Sequence, residues 1–488
     1  MSTLLVTVDA LRADHLGQYG YRRDTFPVAD ELLADGTRFE AAFANGTNTG
    51  VSLPSLLTSR YVGHERARDG PTVASALPDD VATFGVHSNA YLATRVGRPA
   101  GFEAFEDFGV AGDGDGDEGT GGDHDGGAGT DDARTDSSLA HRAFRGTMDL
   151  IRPTVEALGV RPLAERIQER LFPAHLIHEV SVYENAERTT DRALAWLDGL
   201  DDDEEFFAWV HYMDPHRPYG IDLEDPAYAD PADEREIREL MASAAIHPDR
   251  VTDEQRRRIV DLYDSDVRYT SDHVARLFAG LRERGRWDDC AVLLTADHGE
   301  EFGEHGEFFH RNRPYDELLH VPLFVRPPAR AGVATGMAGA GARAGAGADG
   351  PDGPPDVVTG QRELLDLAPT VCAFHGVEPP AAFLGTELFA GDDRRVIATG
   401  SFKEQEPTVG ARWDGWKYID VGGRPELYDL AADPDEGNDV ADAHPDRCTD
   451  YRAAIPDELF EAETDGVPDA DDVDDAVEER LAELGYME

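Results

Sequence analysis

Aspartate and histidine gather at three places in this sequence where an apolar, β-branched run stops. LLVTV (4–8) runs into Asp9, FFAWV (206–210) runs into His211-Tyr-Met-Asp214-Pro-His216, and AVLLTA (291–296) runs into Asp297-His298-Gly-Glu300. Carboxylates and imidazoles are the donors that hold divalent cations and move protons. In open α/β sheets, sites form just beyond the carboxyl ends of the strands. Any one of these aspartates is explained by a helix N-cap; three strand ends delivering Asp and His together point to one site. A fourth element is ANGTNTGVSLPSLLTSRY (44–61), a Gly/Asn/Thr-rich loop leading into a helix near SLPSLLTS. It places Thr47, Thr49 and Ser52 at a helix N-terminus, where unpaired N–H groups and the helix dipole favour a tetrahedral anion.

These residues need a framework. LLVTV, VATFGVHS (81–88), FFAWVHYM (206–213) and CAVLLTA (290–296) read as strands apolar on both faces. Helical spacing appears between them in VADELLADGTRF (28–39), in 178–200 and in 255–285. The alternation predicts an α/β fold, a large mainly parallel or mixed sheet flanked by helices. From about residue 400 the texture changes to short aromatic-polar segments (RWDGWKYIDVG, PELYDL), followed by a closing helix expected over 470–484. The expected division is a catalytic α/β domain over 1–399 and a smaller C-terminal α+β subdomain over 400–488. Residues 111–137 (Gly, Asp, Thr, Ala) and 331–355 (Ala, Gly, Pro) cannot bury enough apolar surface to offset their ordering entropy, and are expected to be a disordered insertion and a loop.

Composition bounds the partners. The 488 residues carry 45 Lys+Arg against 99 Asp+Glu, a formal charge of −54. Lys403 and Lys417 are the lysines; the other basic residues are arginines. Phosphate affinity rests on Lys and Arg, so a nucleic-acid surface is excluded, and an anionic membrane is repelled. Acidic excess with almost no lysine fits a halophilic protein, whose self-repulsion is screened by salt. The start MSTLLVTVDALRADH has no leader pattern and no apolar run spans a bilayer, so the expectation is a soluble, cytoplasmic protein. Cys290, Cys372 and Cys448 are scattered singletons, read as small buried hydrophobes.

VTVDALRADHLGQYGY, the SLPSLLT helix start, WVHYMDPHRPY, TADHGEEFGEHGEFFH…YDELLHVPLFVRPP, LLDLAPTVCAFHGVEPP and the late KYI…ELYDLAADPDE resemble the sulfatase branch of the alkaline-phosphatase superfamily. The matches fall in the family's order and cover nearly the whole chain apart from the two low-complexity segments. The resemblance implies a large α/β domain, a C-terminal subdomain with a small antiparallel sheet, and one divalent metal ion. It implies Asp9, Asp297 and His298 as metal ligands, and Thr49 as a nucleophile that also touches the metal, with Ser52 the competing choice. His216 and His310 fall where the family contacts the transferred group or the leaving oxygen, and His87 and Asn89 where it supplies further oxyanion contacts. Arg12 is a candidate for neutralising substrate charge or for a structural ion pair. Asp214, His305 and His320 are candidates for a second metal, with structural roles favoured by their spacing.

The departures bear on chemistry. Where formylglycine-dependent members carry C-x-P-x-R, this chain reads Thr49-Gly-Val-Ser-Leu53, so no formylglycine is expected. Ala10 follows Asp9 where a second Asp is usual, and Asp297-His298 replaces the Asp-Asn of many sulfatases. Added nitrogen brings zinc and manganese level with calcium and magnesium. The expected activity is metal-dependent hydrolysis of a small anionic sulfuric or phosphoric ester through in-line attack by Thr49. Phosphoester or phosphonate is favoured chemically, because water can cleave a phospho-threonine at phosphorus, whereas a sulfo-threonine lacks formylglycine's elimination route. A soluble phosphotransferase and a non-catalytic anion-binding homologue are the alternatives.

Overall fold

The computed structural model describes residues 1–61, 70–89, 92, 99–108, 183–221, 223–310, 313–329, 356–390, 394–400 and 407–460. The segments 111–137 and 331–355 and the helix expected over 470–484 lie outside the described residues.

The main sheet takes β1 (Ser2–Val8), β2 (Thr37–Phe43), β3 (Ala82–Val86), β4 (Ala104–Glu106), β5 (Phe206–Tyr212) and β6 (Cys290–Ala296). After the two-residue pair β7 (Glu301–Phe302) and β8 (Phe308–Phe309) come β9 (His320–Arg326), β10 (Asp356–Val358) and β11 (Arg362–Glu363). Its order is β10-β2-β9-β6-β1-β5-β3-β4, with β11 alongside β2. Only β9 runs antiparallel to its neighbours, so the sheet is mixed. Every residue of β1, β5 and β6 is buried, which is why these runs are apolar throughout rather than alternating.

The helices are α1 (Ala29–Leu33), α2 (Thr49–Thr58), α3 (Ala186–Leu197), α4 (Glu234–Ile246), α5 (Asp253–Glu283), α6 (Asp316–Leu319), α7 (Leu367–Phe374) and α8 (Pro445–Ala454). Helix α5 starts in a capping box in which Thr252 and Gln255 satisfy each other's backbone N–H groups. Its stripe of Ile259, Leu262, Val267, Val274, Leu277 and Phe278 is buried in the core, each side chain contributing roughly 1.5–3 kcal/mol of apolar burial. Helix α3 stacks Trp196 on Phe84 of β3 at 4.7 Å between ring centroids. Among the described residues, no helix is long and apolar enough to cross a membrane.

The helical reading of 28–39 needs correction. The chain leaves α1 after Leu33 and enters β2 at Thr37. The break falls at Gly36, where a Cβ would lie 2.4 Å from the Leu32 carbonyl oxygen and 2.7 Å from that of Val325 in β9. Only glycine permits that approach of backbone to backbone.

The second sheet is antiparallel: β12 (Val396–Thr399), β13 (Thr408–Trp413), β14 (Trp416–Val421) and β15 (Arg424–Asp429). Its first strand begins ahead of residue 400. Two tight hairpins join the last three strands, Asp414-Gly415 with φ of 53° and 72°, and Gly422-Gly423 with φ of 57° and 83°. Positive φ at both central residues matches the right-handed twist of a hairpin, and explains the D-G and G-G pairs. Trp413 stacks on Tyr451 of α8 at 3.5 Å, closing a small core with Tyr418 and Leu427.

Candidate active site

Strand β1 lies between β5 and β6, with Val8 paired to Tyr212 on one side and to Ala296 on the other. The three strand ends singled out in the sequence are therefore adjacent. Ala10 takes a left-handed φ of 54° directly after Asp9, and its N–H donates to Asp297 Oδ1 at 3.2 Å. The β2 exit supplies the fourth element. Ala44 N–H donates to Leu319 O, Thr47 N–H to Thr399 O, and the chain then enters α2 at Thr49.

Asp9, Asp297 and His298 present ligand atoms that all lie within 4.8 Å of one another, and all three are fully buried. The Thr49 hydroxyl donates to Asp9 Oδ2 at 2.9 Å and lies 3.3 Å from His298 Nε2. Ser52 is differently placed: its hydroxyl donates to the Asp297 backbone oxygen at 2.5 Å. Asp9 Oδ1 and Asp297 Oδ2 are buried without a hydrogen-bond partner. His298 donates from Nδ1 to the Gly299 carbonyl at 2.7 Å, which turns Nε2 toward the cluster, and Asp297 and Asp9 raise its pKa against the burial. Two orphaned carboxylate oxygens and an imidazole Nε2 turned toward them around a hydroxyl are a donor set that fits a divalent cation. Burial opposes charge on Asp9, but His211, His216 and His298 outweigh it and hold the carboxyl well below the usual range. Burial raises Asp297, and the Asp9 charge adds to that shift.

Around this cluster stand His216 and His310. Their rings are 5.2 Å apart, and His310 is 4.9 Å from His298. His216 donates from Nδ1 to the Arg217 carbonyl at 2.7 Å, and burial pushes it down to about 4, so it is neutral near pH 7. His310 Nδ1 lies 3.2 Å from Glu300 Oε1, while the Tyr219 hydroxyl donates to Glu300 Oε2 at 2.5 Å. Burial pushes Glu300 up to about 7.

Other candidates are placed differently. The Arg12 guanidinium is committed to Asp14, Glu304 and the Glu300 carbonyl, which is the ion-pair alternative rather than a substrate contact. His87 accepts from the Asn89 N–H at Nδ1, its Nε2 is buried and unpaired, and burial pushes it down to about 3. The Asn89 side chain caps Leu92 N–H and reaches Met213 Sδ at 3.5 Å. Asp214, His305 and His320 do not come together: Asp214 accepts from Ala186 N–H, His305 pairs with Glu317, and His320 meets the Glu40 carbonyl. Two residues of the site carried no assigned role in the sequence. Glu300 holds His310, and His211 places Nε2 3.7 Å from Asp9 Oδ2. Both stand inside the quoted motifs, but only side-chain direction reveals what they touch.

Comparison with known proteins agrees with this architecture. A family described as Sulfatase matches residues 2–373. The chain is 25% identical over 304 residues to the multifunctional alkaline phosphatase superfamily protein PehA of Trinickia caryophylli, covering 52% of this chain and 54% of that one. It is 26% identical over 279 residues to the choline-sulfatase of Rhizobium meliloti, covering 52% and 50%. The match thus spans about half the length of these curated relatives. The crystal structure of a phosphonate monoester hydrolase of Agrobacterium radiobacter shares the fold, with a TM-score of 0.60 at 18% identity over 95% of this chain and 96% of that one.

Proposed function

The chain belongs to the sulfatase family, and on that premise we propose that it is a metal-dependent hydrolase of sulfuric or phosphoric esters, with Thr49 as nucleophile and phosphoester or phosphonate as the favoured substrate class. One observation carries the reading: the Thr49 hydroxyl sits against Asp9 and His298 inside the buried Asp9–Asp297–His298 cluster. The relatives named choline-sulfatase and phosphonate monoester hydrolase bracket the two ester classes.

A divalent cation held by Asp9, Asp297 and His298 supplies the positive charge that lowers the threonine hydroxyl's pKa and offsets the anionic ester oxygens. The protein does the rest. Asp9 Oδ2 fixes the Thr49 hydroxyl, so the oxygen is held for in-line attack on phosphorus. The N-terminus of α2 faces developing negative charge, with the Thr47 hydroxyl buried beside it and lacking a partner. Neutral His216 serves as a hydrogen-bonding group, and His310, held at Nδ1 by Glu300, delivers a proton to the leaving oxygen. The Thr49–O–phosphorus bond forms as the ester's P–O bond breaks, the hydroxyl proton leaving to solvent and the leaving oxygen taking one from His310. Water then attacks phosphorus, the Thr49–O–phosphorus bond breaks, and a proton from that water restores the hydroxyl. A sulfo-threonine has no comparable exit.

The test is a substrate panel in high salt: aryl sulfate, aryl phosphate, phosphodiester and phosphonate, each with Ca²⁺, Mn²⁺, Mg²⁺ and Zn²⁺. Metal-dependent turnover that disappears in Thr49→Ala supports the proposal. Full activity in Thr49→Ala with loss in Ser52→Ala moves the nucleophile to Ser52. Sulfate-only turnover removes the phosphoryl preference, and no turnover on any ester removes the hydrolase.

A further inference from the structure

His211 stands at the end of β5 with its ring fully buried between Asp9 and Thr7. Its Nε2 lies 3.7 Å from Asp9 Oδ2 and has no hydrogen-bond partner. A nitrogen so close to a cation cluster invites reading as a fourth ligand, and the hydrogen-bond chain behind it decides otherwise. His211 Nδ1 is 2.9 Å from Thr7 Oγ1, and the Trp209 indole N–H donates to the same oxygen at 2.9 Å. Thr7 is fully buried, so its own hydroxyl proton needs an acceptor. The acceptor within reach is His211 Nδ1. A neutral imidazole that accepts at Nδ1 carries its proton on Nε2.

His298 is the opposite case. Its Nδ1 donates to the Gly299 carbonyl, so Nε2 is the nitrogen it turns to Thr49 and the cluster. The two imidazoles thus offer the cluster different things: His298 a donor atom for a cation, His211 an N–H.

We propose that His211 is a positioning residue for Asp9: the relay from the Trp209 indole through the Thr7 hydroxyl fixes the Nε2–H tautomer, and this N–H, presented to Asp9 Oδ2, orients the carboxylate that holds the cation. The inference rests on the cation site of the proposed function. A carboxylate or backbone partner commonly orients a metal-binding imidazole; in this chain an imidazole orients a metal-binding carboxylate. It gives the side-by-side placement of β1 and β5 a role in the site, since Thr7 pairs with His211 across the two strands.

The experiment uses the full chain, stripped of metal, in high salt. Zn²⁺ and Mn²⁺ are titrated calorimetrically into wild type, His211→Gln, His211→Leu, Thr7→Val and Asp9→Asn, with thermal melts run on each to confirm folding. Ring ¹⁵N shifts of His211 are recorded before and after Zn²⁺. The expected result is an Nε2–H tautomer in both states and cation affinity within about 3-fold of wild type in His211→Gln, whose amide N–H replaces Nε2–H. His211→Leu falls roughly 10–100-fold, and Thr7→Val, which releases the tautomer, falls between them. An Nε2 that loses its proton on Zn²⁺ binding, or Gln and Leu variants equally impaired, makes His211 a ligand and overturns the proposal. Unchanged affinity in His211→Leu also overturns it. The cation site itself fails in a distinguishable way, through absence of Zn²⁺ or Mn²⁺ binding in wild type or through full binding in Asp9→Asn. If His211→Leu does not fold, the Thr7→Val titration and the wild-type ¹⁵N shifts decide.

Discussion

Gly299→Ala tests whether the backbone between His298 and Glu300 is as tightly clamped as the structure shows. Gly299 N–H donates to Leu318 O at 2.8 Å, and Glu300 N–H to Glu317 O at 3.1 Å, so helix α6 holds the loop by its carbonyls. A Cβ on residue 299 would lie 2.0 Å from Glu317 O and 3.0 Å from the carbonyl carbon behind it, where ordinary contact begins at 3.4 Å. The obstacle is backbone, not a side-chain tip, so loop and helix must separate by more than an ångström. Each of the two hydrogen bonds left unmade costs about 1–3 kcal/mol. Overpacking of this kind costs about 1–3 kcal/mol when the structure relaxes. A loss of about 3–9 kcal/mol is expected, a large part of the roughly 5–15 kcal/mol typical of a folded protein. The same displacement moves His298 away from Asp9 and Thr49, so cation affinity should fall at least about 10-fold, the effect usual for disturbed ligand support. The assay is urea unfolding of the full chain in high salt, followed by tryptophan fluorescence, with Zn²⁺ titration in parallel. Gly17→Ala, whose Cβ would meet its nearest neighbour at 3.6 Å, is the control. A Gly299→Ala protein within about 0.5 kcal/mol of wild type, binding Zn²⁺ normally, would refute the clamp.

Lys417 is fully buried and places Nζ 2.7 Å from Asp316 and 2.9 Å from Glu436; Lys417→Met leaves two buried carboxylates short of their cation and should cost about 3–5 kcal/mol in urea unfolding, with Lys417→Arg milder. Because Asp316 opens the helix that clamps Gly299, the Met variant should also bind cation more weakly. His305 is half-buried, and although burial opposes its charge, Glu317 and the Glu436 carbonyl raise it to about 8. The protonated form is the one the fold favours, so its contribution is fully present below about pH 6.5 and is lost as pH rises through about 8; His305→Phe, which keeps a ring on Tyr315, should flatten that part of a melting-temperature profile. Glu300→Gln keeps an oxygen for the Tyr219 hydroxyl but removes the charge beside His310, so kcat should fall roughly 10–100-fold with KM little changed, read from the pH profile on the best ester of the panel. Turnover should rise with salt as the −54 charge is screened; an optimum at low salt contradicts that expectation.

The central strands were legible because burial on both faces leaves a continuous apolar run: CAVLLTA is β6 residue for residue, and FFAWVHYM is β5 with one residue to spare. The same physics hid β2. Its sequence TRFEAAF has a mixed burial pattern, and the turn before it depends on Gly36 meeting the backbone of β9, a contact remote in sequence. The clustering of Asp9, Asp297 and His298 was legible because they follow the ends of neighbouring strands, and sheet topology alone brings strand ends together. The partners of those residues were not. His211 and Glu300 occupy conspicuous motifs, yet their roles depend on which nitrogen faces Thr7 and which oxygen faces His310. Arg12 shows the converse: a cation near an anion site reads as a substrate contact until Asp14, Glu304 and the Glu300 carbonyl are seen to use its donors.

The overall charge and the site pose opposite electrostatic problems, and one arrangement answers both. A protein with a formal charge of −54 offers the anionic ester of the proposed function no attractive field at long range, so its capture would have to be local. Locally, the chain buries two of its carboxylates, Asp9 and Asp297, side by side, with one oxygen of each lacking a partner. In a low-dielectric interior such a pair is tolerated only beside compensating positive charge. The imidazoles near it meet that need unevenly: they hold Asp9 low, while burial and the Asp9 charge still raise Asp297. Under the proposed function a divalent cation would complete the compensation, and the charge that satisfies the carboxylates would be the same charge that draws the ester to Thr49. The acidic surface is then no obstacle to the chemistry, because the attraction that matters acts over a few ångströms, inside the screening length of a salt-rich solution.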